Sequence, residues 1–164
     1  MTLPLAREQV FAFFAEAQNL ERITPPELGF RIASRTPVDI TTGTQIDYHL
    51  SLFGLPFTWR SLISHWNPPH AFVDEQRKGP YSLWHHTHTF EETDKGTAIG
   101  DRVLFRLPLW PLGEIVLPLI RLQLKRIFSY RQKAIHTLLL CYHNYLRRLK
   151  PKILQQKVGP QGEF

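Results

Sequence analysis

Two histidines spaced two residues apart are the side chains in this sequence best suited to acid–base chemistry. His86 and His88 stand in the run 84–90, where aromatic, β-branched and histidine side chains indicate a β-strand. Successive side chains on a strand point to opposite faces, so an inward Trp84 and Phe90 place His86 and His88 on that same inner face. The three residues that alternate with them are then expected on the outer face.

A carboxylate is predicted to join the histidines from the next strand. Ile99, Val103 and Phe105 are apolar and are expected to share the inner face of this strand. Asp101 has the same spacing and is therefore expected on that face as well. A His-His-Asp group suits two functions, since it can orient the polar end of a ligand or move a proton as acid and base. It also suits a structural role, in which Asp101 accepts a hydrogen bond from a histidine and neither group is buried unpaired. The sequence leaves these alternatives open.

Metal and thiol chemistry are not indicated. His86, His88 and Asp101 offer three possible ligands, but their spacing has no specific metal-binding signature and no fourth ligand is visible. We therefore expect no metal and no other cofactor. The single cysteine, Cys141, excludes an internal disulfide, and its apolar helical surroundings predict a small buried hydrophobe. No serine stands in a Gly-x-Ser-x-Gly setting, so a serine nucleophile is not expected.

The charge is concentrated in the C-terminal third of the chain. Residues 1–113 carry ten Lys/Arg and twelve Asp/Glu, whereas residues 114–164 carry ten and two, so the net charge of +6 belongs to the second segment. These basic residues alternate with Leu, Ile and Phe at helical spacing, which favours a solvated helix face over a nucleic-acid site. We expect no nucleic-acid partner.

The N-terminal residues and the apolar content predict a cytoplasmic protein. The chain lacks the basic start and long apolar stretch of a secretory signal. Its most apolar window, 103–120, contains Arg106, Glu114 and three prolines, which exclude a membrane-spanning helix.

The order of elements predicts an α+β domain. Apolar spacing indicates short helices at about 6–15 and 20–23, then one long amphipathic helix from about 118 to 149. Between them, period-two patterns indicate strands at about 30–35, 44–52, 57–66, 71–76, 83–92 and 97–106. Their short connections require antiparallel neighbours. We expect one domain over residues 1–149 and a flexible tail over residues 150–164.

A cavity is expected between the sheet and the long helix, because a curved sheet cannot touch one cylinder everywhere. Arg60 and Arg102 alternate to the outer face and are expected in surface pairs. Residues 74–76 cannot be placed, because Phe72 and Val73 are both apolar, although one of the three can reach the cavity. The residues expected to bind a ligand are Tyr48, Leu50, Trp59, Ile63, Trp84, His86, His88, Phe90, Asp101, Val103, Phe105, Leu124 and Phe128.

A set of short motifs along the chain points to a known family. These motifs are the runs 10–14, 19–20, 24–26, 58–60, 72–76, 79–81, 84–90 and 101–103. They resemble the SRPBCC superfamily, also called START-like or Bet v 1-like, and within it a bacterial subgroup described as polyketide cyclase/dehydrase or lipid-transport-like. The resemblance covers roughly residues 4–131 and implies a helix-grip fold, in which a curved antiparallel sheet of about six to seven strands wraps a long C-terminal helix. Such domains usually begin with a strand, for which only residues 1–5 are available here.

Three functional hypotheses follow. The leading one is non-catalytic binding of a hydrophobic or amphipathic small molecule, such as a lipid, a quinone or a polyketide-like aromatic, with His86, His88 and Asp101 fixing its polar end. The second is a cyclase or dehydratase that uses the same three residues as acid and base. The third is a module that docks on a membrane surface or an acidic protein through the basic helix and the hydrophobic loop 107–112. The sequence does not predict an oligomeric state.

Overall fold

The computed structural model describes residues 1–52, 54–109 and 111–156, with side chains described as far as Cys141. Its architecture is α+β, as the order of sequence patterns predicts. The helices are α1 (Arg7–Phe14), α2 (Asn19–Arg22) and α3 (Leu112–Gln156), with a 3₁₀ turn at Pro26–Leu28. The strands are β1 (Thr2–Leu3), β2 (Arg31–Ile32), β3 (Gln45–Leu52), β4 (Leu55–Asn67), β5 (Ala71–Lys78), β6 (Leu83–Thr93) and β7 (Gly96–Arg106).

The strands form one antiparallel sheet in the order β1-β7-β6-β5-β4-β3-β2. Strands β2 to β7 follow one another as a meander, and β1 crosses to the far edge, where Leu3 lies opposite Thr97. The short first strand of the fold is therefore present. Gly96 permits this pairing, because its φ is +114° and a Cβ there would collide with the carbonyl oxygen of Leu3.

The hydrophobic core fills one end of the concave face. Helix α1 presents Val10 and Phe11 to the sheet, and the Phe11 ring packs edge-on against Phe90 with 5.2 Å between centroids. Helix α3 closes the same core with Ile135 and Leu139. Aromatic and aliphatic burial on this scale is the main stabilising contribution in a domain of this size. Space for a ligand is therefore left towards the other end of the sheet.

Helix α3 differs from the prediction at both ends and at its cysteine. It begins at Leu112 and not near residue 118, so Pro118 lies inside the helix. It continues to Gln156, so residues 150–156 are helical, whereas residues 157–164 of the expected tail lie outside the described part. Cys141 is exposed, not buried as expected. The reason is helical geometry, since a residue two positions after the buried Leu139 lies roughly 200° around the helix from it. Within the described residues, no helix has the length and hydropathy needed to cross a membrane.

Candidate functional site

Two cross-strand pairs bring four ionisable side chains together on the concave face. Asp74 on β5 lies opposite His86 on β6, and His88 lies opposite Asp101 on β7. Asp74 is the residue whose facing the sequence could not decide. Its place follows from the strand pleat, because the buried Phe72 stands two residues before it. We call Asp74, His86, His88 and Asp101 the His/Asp cluster.

Each histidine of the His/Asp cluster contacts both carboxylates. His86 Nε2 donates a hydrogen bond to Asp101 Oδ1 at 3.1 Å, and His88 Nε2 donates one to Asp74 Oδ2 at 3.3 Å. The other ring nitrogens are equally near, with His86 Nδ1 3.3 Å from Asp74 Oδ2 and His88 Nδ1 2.9 Å from Asp101 Oδ1. His88 Nδ1 nevertheless lacks hydrogen-bond alignment, so that contact is close without being a hydrogen bond. The four side chains thus form a closed ring of polar contacts.

The environment keeps both carboxylates ionised. Burial by itself raises the pKa of Asp74 and Asp101, but hydrogen bonds from His86 and His88 outweigh burial and hold both pKa values well below the usual range. For His86, burial lowers the pKa, and the hydrogen bonds to Asp101 and Asp74 more than offset it, so the pKa is raised. The side chain of Asp101 is only 17% exposed, although the residue as a whole is exposed. The raised pKa means that His86 keeps its proton to a higher pH than an ordinary histidine does.

Arg131 of α3 reaches the same region, and sequence reasoning missed it. Its Nε atom is buried and has no hydrogen-bond partner among the described residues, and its guanidinium carbon lies 5.2 Å from the centroid of the Phe128 ring. Burial lowers the pKa of Arg131 despite the nearby charges of Asp101 and Asp74. The signal was available, because Phe128, Arg131 and Ile135 are spaced three and four apart and so share one helix face.

The cavity between sheet and helix has two compartments. The aromatic compartment has a volume of about 130 Å³, and its wall includes Tyr48, Leu50, Trp59, Tyr81, Trp84, Leu124 and Phe128. The polar compartment has a volume of about 110 Å³ and is lined by Ile63, Asp74 and His88 together with residues of α1 and α2. Leu20, Tyr48, His86 and Arg131 line both compartments. A molecule in the aromatic compartment would therefore meet the charged groups at its inner end.

The remaining predicted site residues lie elsewhere. Asp101, Val103 and Phe105 border a shallow groove between β7 and α3, which Leu124 and Phe128 also line. Phe90 is 1% exposed and lies in the hydrophobic core, where α1 covers it, and it lines neither compartment. Whether each of these residues contacts a ligand stays a prediction. Arg60 faces outward, as predicted, and pairs with Asp47 across the strands at 2.7 Å; Arg102 is also exposed.

Neutral hydrogen-bonding groups complete the aromatic compartment. Burial raises the pKa of Tyr81 to about 12, and burial also raises that of Tyr48 above its ordinary value. Both phenols therefore stay protonated near neutral pH and can donate a hydrogen bond. The indole of Trp59 is committed, since its Nε1 donates to Ser61 Oγ at 3.0 Å. Charge in the cavity therefore comes from Arg131, from the His/Asp cluster and from Glu16, which also lines the polar compartment.

Three members of the His/Asp cluster also have the donor atoms of a metal site. One ligand atom each of Asp74, His86 and His88 can be chosen so that all lie within 4.8 Å of one another. A cation would have to replace the protons that bind the histidines to the carboxylates, and it would lie in the same cavity as the buried guanidinium of Arg131. The expected absence of a metal stays a prediction, which metal analysis of the purified protein can check.

Comparison with solved structures identifies the fold. The chain superposes on protein Ms6760 from Mycobacterium smegmatis with a TM-score of 0.64 at 18% identity, covering 87% of this chain and 89% of that one. It matches the di-domain ARO/CYC StfQ of the steffimycin biosynthetic pathway with a TM-score of 0.67 at 14% identity, covering 88% of this chain and 50% of that one. An AHSA1-like protein from Aeromonas hydrophila matches with a TM-score of 0.57 at 12% identity, over 82% and 88% of the two chains.

The chain therefore has a helix-grip fold, which confirms the fold that the sequence motifs imply. Membership of the SRPBCC, or START-like, superfamily stays a prediction. No family model matches the sequence, and no curated protein matches it either. At these identities the likeness establishes the fold alone, and the polyketide cyclase or lipid-transport subgroup stays a prediction.

Proposed function

We propose that the protein binds an amphipathic small molecule between the sheet and α3, without transforming it. The observation that carries this proposal is that the two compartments are adjacent, because Tyr48, His86 and Arg131 line both. An apolar body in the aromatic compartment would then place its polar end against the His/Asp cluster. A largely apolar cavity with a few convergent polar groups is the usual form of a small-molecule site.

The size of the aromatic compartment limits the ligand. Its volume of about 130 Å³ is close to that of engineered apolar cavities, about 150 Å³, that take up benzene. One or two fused rings or a short alkyl chain fit this space and the polar compartment next to it, whereas a diacyl lipid does not. Among the ligand classes that the sequence suggests, a small aromatic of the quinone or polyketide type therefore fits better than a membrane lipid.

The test is a titration of isotope-labelled protein with small bicyclic aromatics, followed by NMR. Binding in the cavity predicts saturable shift changes at Tyr48, Trp84, Leu124 and Phe128, and none at exposed positions such as His49. Changes confined to the outer surface would contradict the proposal.

An enzyme is the second candidate, and a specific contact favours it. His86 lines both compartments and has a raised pKa, so it can supply a proton to a bound carbonyl compound. The solved structures that share the fold include StfQ, described as an ARO/CYC. Incubation with a β-keto thioester decides between the two candidates. Turnover that His86→Asn abolishes while binding persists would establish catalysis, and binding without turnover supports a carrier or sensor.

A peripheral membrane contact is a third proposal, based on the first turns of α3. Leu112, Ile115, Leu119 and Leu122 are large apolar side chains exposed on this helix. Arg121 and Lys125 stand beside them. An exposed apolar stripe flanked by basic residues suits the interface of an anionic membrane.

A further inference from the structure

We propose that Arg131 recognises an acidic group on the ligand, so that the bound molecule is an aromatic or short-chain carboxylic acid or a comparable anion. This inference rests on the proposed binding function and names the chemistry of the ligand's polar end.

The first support is the position of Arg131. It lines both compartments of the cavity, so its guanidinium stands where the two spaces meet. An apolar body in the aromatic compartment would present its polar end to this residue. The ring of Phe128, 5.2 Å from the guanidinium carbon, supports one side of the guanidinium by a cation–π contact.

The second support is an unsatisfied donor. Arg131 Nε is buried without a hydrogen-bond partner in the described part of the chain. Arginine presents several N–H donors in a planar fork, and this fork matches the two oxygens of a carboxylate. A buried polar group left without a partner is costly. A ligand carboxylate would supply the missing acceptor.

The third support is the distribution of charge. Asp74 and Asp101 are the carboxylates near the guanidinium, but both make close contacts with His86 and His88. Both carboxylates are engaged with the histidines, so the cation on Arg131 has no salt-bridge partner within the described part of the chain. A neutral ligand would leave this partly buried cation uncompensated, whereas an acid would pair with it.

The experiment compares two ligands that differ in charge and little in shape. 2-Naphthoate and 2-naphthamide share the ring system, and calorimetry gives the dissociation constant of each. Four proteins are titrated: the wild type, Arg131→Gln, Arg131→Lys and Lys133→Gln. Lys133 is exposed on the same helix, so its substitution removes one positive charge and leaves the cavity unchanged.

We expect the wild type and Lys133→Gln to bind the acid at least tenfold more tightly than the amide. Arg131→Gln should reduce that preference to less than threefold while amide binding persists, and Arg131→Lys should keep part of it. Persistent amide binding also shows that the variant is folded.

The outcomes separate this inference from the function on which it rests. Equal binding of acid and amide by the wild type, or an unchanged preference in Arg131→Gln, would overturn the role of Arg131 and leave the binding function standing. No binding of either compound by any of the four proteins, with a folded wild type, would overturn both.

Discussion

Asp74 and His86 lie directly opposite one another on β5 and β6, with 3.3 Å between Asp74 Oδ2 and His86 Nδ1. The same carboxylate oxygen lies 3.3 Å from His88 Nε2, so one aspartate contacts two histidines. Both members of the first pair are largely buried, with side chains 18% and 4% exposed. The His/Asp cluster is thus held by shared polar contacts, and its members are expected to depend on one another.

Replacing His86 should destabilise the fold. His86→Asn leaves Asp74 and Asp101 with one histidine between them, and breaking a buried ion pair in this way costs about 3 kcal/mol. Chemical denaturation followed by circular dichroism measures the loss. His49→Asn is the matched control, because His49 is exposed on β3, and it should change the free energy of unfolding by less than about 0.5 kcal/mol. Equal effects of the two substitutions would contradict the account of the cluster.

Stability should be highest between about pH 4 and pH 6.5, the ordinary pKa values of Asp and His. The lowered pKa values of Asp74 and Asp101 mean that their contribution is complete above about pH 4 and is lost as pH falls further. The pKa of His86 is raised in the folded protein. Its contribution to the free energy of unfolding is therefore complete below about pH 6.5 and is lost as the pH rises through the raised, folded-state pKa.

Thermal unfolding from pH 3 to pH 9 measures this profile. In His86→Asn the decline above pH 6.5 should be weaker than in the wild type. A decline of the same size in both proteins would show that His86 is not its source.

The strand β1 should depend on Gly96. A side chain at this position would collide with the carbonyl oxygen of Leu3 and with the backbone of Pro4 and Leu5. Gly96→Ala should therefore lower the free energy of unfolding by about 3 kcal/mol, through backbone strain and displacement of β1. Gly43 also has a positive φ, of +94°, but faces open space. Gly43→Ala should therefore cost only about 1 kcal/mol. Hydrogen exchange at Leu3 would report the displacement directly, and equal protection in both variants would argue against it.

Sequence alternation is sufficient to predict where the main strands lie and which face of the sheet three members of the His/Asp cluster occupy. The period-two patterns located β3 to β7, and the strand pleat put His86, His88 and Asp101 on the concave face. Alternation does not predict which face of the sheet Asp74 occupies, because the two residues before it are both apolar. The pairing of β5 with β6 shows that Asp74 lies opposite His86. Cavity walls depend on how helices pack on the sheet, which is why Phe90 lies under α1 and not in the cavity.

Arg131 shows a different limit of the sequence. Its charge grouped it with the solvated basic residues of the C-terminal segment, while its spacing from Phe128 and Ile135 placed it on the buried face. The charge of Arg131 predicts an exposed side chain, whereas its spacing predicts a buried one. An arginine with a buried Nε atom is an exception to the usual preference of charged residues for the surface. Such disagreements between local patterns are common at functional sites.

The exposed stripe on α3 should mediate membrane contact if the third proposal holds. Vesicles containing phosphatidylserine should sediment more protein than vesicles of phosphatidylcholine at low salt, and added salt should reduce the difference. Replacing Ile115, Leu119 and Leu122 by serine should reduce sedimentation at least fivefold without lowering the melting temperature, because all three are exposed. Equal sedimentation with both kinds of vesicle would exclude this contact.

The central claim, that the cavity holds a small molecule, is tested most directly by native mass spectrometry of the protein purified from its own host. Leu124→Trp, which fills the aromatic compartment, is compared with Leu122→Trp, the same change at a side chain 66% exposed on the same helix. We predict a co-purified small aromatic or short-chain molecule with the wild type and with Leu122→Trp, and its loss from Leu124→Trp. A wild-type protein that carries no small molecule, or a molecule retained equally by Leu124→Trp, would contradict the account.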